Sequence, residues 1–168
     1  MHSTAESRGK TKRPSPTVYT LRVALRYDSD VWRKIEIRSD QTLDELHWAI
    51  FKAFNRDEDH LYSFYLTPPG ARRSARSLPH KNAIEFTDPQ CYDGYDWGNP
   101  HEVHDASQTR LADLKLRASR KFDYLFDFGD SWKHEITVEQ VNGEIQRHKY
   151  PRVIEKHGTS PPQYESEW

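Results

Sequence analysis

Cys91, Asp93, His101, His104 and Asp105 are the donor types that zinc and related divalent ions accept, and they fall within one short stretch. Two histidines three positions apart share one side of a helical turn, so His101 and His104 suit a common ion. Their spacing is not the His-Glu-x-x-His pattern of metalloproteases, and Cys91 has no second cysteine to join it. The alternative reading of this stretch is a solvated acidic loop. His134 is the other candidate. It falls in the alternation Trp132, His134, Ile136, Val138, on the apolar side of a strand. There it is either a base or ligand oriented by Asp127 or Asp130, or a core histidine that holds a hairpin through one hydrogen bond. A lone histidine without a nucleophile or second ligand does not complete a site. Asp127-Phe128-Gly129 repeats the magnesium signature of kinases, but the glycine-rich loop, paired lysine and catalytic loop are missing. Gly129 and its flanking aspartates are instead the chemistry of a turn.

Two further groups suit binding rather than reaction. Tyr92, Tyr95 and Trp97 lie in the glycine-containing stretch CYDGYDWGNP, where they either fold over the core or form a contact patch. Arg72, Arg73 and Arg76, with Lys81, give residues 68–81 a basic character without any acid, a surface suited to nucleic acid. Residues 82–105 then hold six acids and no lysine or arginine. The simplest account is two loops that attract each other.

The elements that must position these groups are legible from periodicity. Val18–Tyr27 and Val31–Arg38 alternate about an Asp28-Ser29-Asp30 turn, which predicts an antiparallel hairpin. Thr42 and Glu45 have capping-box spacing, and Leu43, Leu46, Ile50, Phe51 and Phe54 continue at helical intervals, so a helix is expected over 43–54. Strands follow at Leu61–Leu66 and Ala83–Phe86, and a short helical pattern at Thr109–Leu116. Lys121–Phe128 and Ser131–Val141 alternate as a second hairpin. For Phe128 to face Trp132 its loop must be Gly129-Asp130-Ser131. A last strand is expected through Tyr150–Ile154. The whole predicts an α+β fold: an antiparallel or mixed sheet packed by one principal helix, with a ββαβ opening of grasp-like or roll-like kind and a C-terminal hairpin.

Composition agrees. The 168 residues are only 35% hydrophobic, yet 12% are aromatic and the net charge is −1, which favours a compact chain over disorder. No segment has the apolar run of a signal peptide or a membrane span, and one cysteine cannot form an internal disulfide. The expected compartment is the cytoplasm, with no membrane partner. Residues 1–17 read as a flexible basic tail, 18–162 as the domain, and 163–168 as a short C-terminal tail.

The hairpin residues Tyr124, Asp127, Phe128, Gly129, Asp130, Trp132 and His134, followed by Tyr150-Pro151, Gly158 and Pro161-Pro162, resemble the plasmid pRiA4b ORF-3-like family. The opening strands and the helix that begins at Thr42-Leu43 and leads on to His47 match that family's N-terminal half. The resemblance implies an α+β domain of uncharacterised biochemical function, in a family often labelled as transposon passenger or resolvase-like proteins. No serine and arginine cluster of a recombinase and no helix-turn-helix accompany that label here. After the two prolines the family pattern continues with acidic residues and a Cys-Gly-Gly stretch, where this sequence has Gln163 to Trp168. The reading is a non-catalytic module that binds protein, with no cofactor expected. The alternatives are a divalent-metal enzyme using the acidic loop or His134, and nucleic-acid binding through the basic loop and N-terminal tail.

Overall fold

Apolar side chains at every second position make Val18–Leu25 (β1) and Trp32–Arg38 (β2) two-faced strands, and they pair antiparallel with Leu21 opposite Ile35. The structure is a computed structural model that describes residues 12–73, 82–94 and 102–164. Helix Leu43–Ala53 (α1) starts at the expected capping box: the Glu45 amide donates to Thr42 Oγ1 (3.2 Å), and the Thr42 amide donates to Glu45 Oε2 (2.7 Å). Leu43, Leu46, His47 and Ile50 form its buried stripe.

Six more strands complete one sheet: Tyr62–Leu66 (β3), Ile84–Thr87 (β4), Val103–Asp105 (β5), Lys121–Phe126 (β6), Trp132–Gly143 (β7) and Arg152–His157 (β8). Their order is β5-β4-β3-β6-β7-β1-β2-β8. All neighbours run antiparallel except β4 and β5, so the sheet is mixed and the class is α+β. Among the described residues no helix is long and apolar enough to cross a membrane.

The helix covers one face of the sheet. Phe54, Tyr62, Phe64, Phe122, Tyr124 and Phe126 are all less than 2% exposed there. Burying a side chain of this size contributes about 1.5–3 kcal/mol, which is how a chain poor in aliphatics closes a core. The other face is laced with charge. Asp123, fully buried, accepts from Arg26 (3.3 Å) and Arg73 (2.9 Å), and Glu135 pairs with Arg73 and Lys121. Arg73 of the basic stretch therefore binds carboxylates of β6 and β7.

Several boundaries differ from the sequence expectation. β1 ends at Leu25 rather than Tyr27, and β8 begins at Arg152 and runs to His157. The predicted helix over 109–116 is only a 3-10 turn at Leu111–Leu114, stopped where Lys115 adopts a left-handed φ of 49°. β5 had no expectation, because three residues are too few to show a period.

Candidate functional site

The motif hairpin has the expected faces but a different register. Phe126, not Phe128, lies opposite Trp132, and the loop is the five residues 127–131. Moving the partner by two keeps every even-numbered side chain on the core face, so alternation alone could not separate the two registers. Aspartate chemistry decides it. Asp127 takes a left-handed φ of 59°, and its Oδ1 accepts from the Gly129 amide (3.0 Å) and the Asp130 amide (3.2 Å). Its own amide donates to the Leu61 carbonyl (2.9 Å), tying the loop to the start of β3. Phe128 is left outside the core, 41% exposed.

His134 lies opposite Tyr124, not across from Phe126, and is fully buried. Nδ1 donates to the Trp132 carbonyl (3.0 Å), which leaves Nε2 to accept from Arg56 Nη2 (3.3 Å). Burial, with the Arg56 charge added, holds its pKa down to about 3. Neither Asp127 nor Asp130 orients the ring; Asp127 faces His60 at 3.6 Å instead. His134 is thus a neutral core histidine in this geometry, with both ring nitrogens engaged.

Arg56 is the residue that sequence reasoning missed. It follows α1 in the break at Asn55–His60, where a charged residue ordinarily faces solvent. Here it is 7% exposed. Its guanidinium carbon lies 4.1 Å from the Trp132 ring centre and 5.7 Å from those of Phe54 and Phe126. Only tertiary packing puts it there, so no local pattern signals it.

A second buried chain runs under the helix. His47 Nδ1 accepts from the Tyr124 hydroxyl (2.7 Å), and Nε2 donates to Asp59 Oδ1 (3.0 Å). The ring stacks on Tyr62 at 3.8 Å, and the Tyr62 hydroxyl donates to Asp44 (2.5 Å). Burial lowers His47 to about 4 and raises the Tyr62 and Tyr124 phenols. Burial also raises Asp59 and Asp88, with neighbouring carboxylates adding to the shift. The sequence signal for His47 was its place on the stripe of Leu43, Leu46 and Ile50, which marked it as buried but not as bonded.

The remaining candidates do not gather around either cluster. Cys91 is exposed on the loop after β4, and partial desolvation by its neighbours raises its thiol pKa. His104 stacks on Phe86 and pairs with Glu102. Among the described residues no three His, Cys, Asp or Glu side chains are arranged to hold a metal ion, Asp93 and Asp105 included. Tyr92 is 40% exposed. Arg72 is exposed, whereas Arg73 is committed to Asp123 and Glu135. His101, Tyr95, Trp97 and Arg76 lie outside the described residues. Tyr150 and Pro151 sit away from the motif turn, before β8, with the Tyr150 carbonyl accepting from Gln41 Nε2 (2.7 Å).

Two known proteins are similar to this chain, one in sequence and one in fold. An uncharacterised protein, y4hQ, of Sinorhizobium fredii (strain NBRC 101917 / NGR234) is 26% identical over 149 residues, which span 88% of this chain and 66% of that protein. The chain thus covers less than two thirds of that relative's length. The crystal structure of MM3350, a protein of unknown function from Methanosarcina mazei Go1, has the same fold with a TM-score of 0.66 and 19% identity. The match covers 89% of this chain and 74% of that one. The pattern of the plasmid pRiA4b ORF-3-like proteins matches residues 17–164, almost the whole described chain, and the chain belongs to that family.

Proposed function

We propose that this chain is a non-catalytic module that binds a polypeptide with the end of the sheet built by the Asp127–Ser131 turn. The observation that carries this is Phe128: a motif phenylalanine held out of the core on a braced turn. It is not part of the buried core in that position, whereas a rigid exposed ring offers contact area at little entropic cost. Other exposed apolar residues attach to the same end. Tyr27, 60% exposed, lies 5.9 Å from Trp132, and Leu61 is bonded through its carbonyl to Asp127. Tyr164, 41% exposed, is within 2.6 Å of His60, the ring that faces Asp127. Clustered exposed rings of this kind mark contact surfaces in soluble proteins.

Site-directed photo-crosslinking tests the surface. A benzophenone side chain at position 128 should give discrete polypeptide adducts in the host cell. The same group at Lys156, exposed on β8, should not. Equal adducts at both positions, or none at 128, would remove the proposal.

A further inference from the structure

Resting on that reading, we infer that Arg56 and Trp132 form a carboxylate-binding site, which takes one acidic side chain or chain terminus from the bound polypeptide.

The argument begins with how this fold treats its other arginines. Arg33, 3% exposed, is met by backbone acceptors: Nε donates to the Ala53 carbonyl (2.8 Å), and Nη1 to those of Trp32, His157 and Gly158 (2.8, 2.9 and 3.1 Å). Arg26 and Arg73 are paired with buried Asp123. Arg22 and Arg73 each have a buried Nε without an acceptor, but both side chains are only half-buried. Arg56 is different. It is nine-tenths buried, it has no carboxylate partner among the described residues, and Nη1 meets no acceptor. Its single hydrogen bond is the 3.3 Å contact to neutral His134. A guanidinium does not escape this by losing its proton. A buried charge without a counter-ion is costly, and aromatic faces compensate it only in part.

Trp132 supplies the second donor. Its Nε1 is buried and also lacks an acceptor. The guanidinium and indole are stacked 4.1 Å apart, so two unused N–H groups and one positive charge are neighbours. A carboxylate answers all three: one negative charge and two acceptor oxygens. The surroundings argue against phosphate and nucleic acid, because Asp28, Asp127 and Asp130 surround this end and would repel a multiply charged ligand. They favour a single acid flanked by apolar or basic residues. Tyr27 is the way in. It is the most exposed large side chain beside Trp132, and it lies close enough to Arg56 to feel its charge. Turning it aside opens the pair.

The test uses the full chain and the nitrogen-15 resonance of the Trp132 indole, assigned with Trp132→Phe. Sodium acetate at constant ionic strength should shift it saturably, and so should an end-blocked peptide with one glutamate between leucines. A peptide with glutamine there and a free terminal carboxylate distinguishes the two sources. Arg56→Gln, checked for folding by the other indole signals, should bind about tenfold more weakly. The inference is overturned if the shift is absent in the unmodified chain, if chloride or the end-blocked glutamine peptide reproduces it, or if inorganic phosphate or a short RNA binds more tightly. Crosslinks from position 128 that persist while acetate and peptide fail would retain the contact surface and remove the carboxylate site.

Discussion

The Tyr124 hydroxyl and His47 Nδ1 meet at 2.7 Å in the interior, joining the middle of β6 to the middle of α1. Both groups are sealed from water, so each depends on the other. Tyr124→Phe removes the donor while keeping the ring, and leaves a buried acceptor unpaired. The expected cost is about 1–3 kcal/mol, read as a lower urea midpoint with unchanged slope. A variant as stable as the parent would show that the bond contributes nothing net.

Acid should weaken the fold before the carboxylates titrate. Burial holds His47 at about 4 and His134, with the Arg56 charge added, at about 3, against 6.5 for the free side chain. Below 6.5 the unfolded chain binds protons that the folded chain refuses, so stability is complete above that pH and falls as pH drops toward 4. Each histidine contributes a slope approaching about 1.4 kcal/mol per pH unit. Urea midpoints across this range measure it. His134→Gln should flatten the profile, and a flat profile in the parent would mean that both rings are charged when folded.

Asp123 holds the second face together. Replacing it with alanine leaves Arg26 and Arg73 facing each other without their shared carboxylate, at an expected cost of about 3–5 kcal/mol. Arg73→Ala should cost less, because that side chain is 25% exposed and Arg26 remains. Thermal denaturation orders the two variants, and the reverse order would contradict the burial argument.

Phe126 and Phe128 make a contrast within one motif. Phe126→Ala opens a cavity at a position 1% exposed and should cost about 3–5 kcal/mol. Phe128→Ala should leave stability within about 0.5 kcal/mol of the parent. Chemical denaturation separates them. Similar losses would place Phe128 in the core, as the three-residue loop required.

The strand and helix plan was legible because alternation and capping are local. Leu21 and Ile35 declared their face, and Thr42 with Glu45 declared where α1 begins. What sequence could not show was which equally alternating register β6 and β7 adopt, since Phe128 opposite Trp132 keeps the same faces as Phe126 opposite Trp132. Asp127 decided it through bonds to amides two and three residues on. The site was less legible still. His134 was visible as a core histidine, but its partner Arg56 is brought to it from beyond the helix by tertiary packing alone, 78 residues away in the chain. Residues chosen for their chemistry, such as Cys91 and His104, lie on loops and an edge strand without converging.

The pairing of β1 with β7 sets an order on biosynthesis. β1 needs β2 on one side, which follows at once, and β7 on the other, with Val23 opposite Ile136. While the chain is being made, the first hairpin and its helix therefore wait with both hairpin edges open until β7 and β8 have left the ribosome. Such long-range closure slows folding and leaves an apolar strand available to other chains. Nascent chains released before β7 emerges should therefore be soluble only with a chaperone, even though they contain every residue of the opening ββα unit.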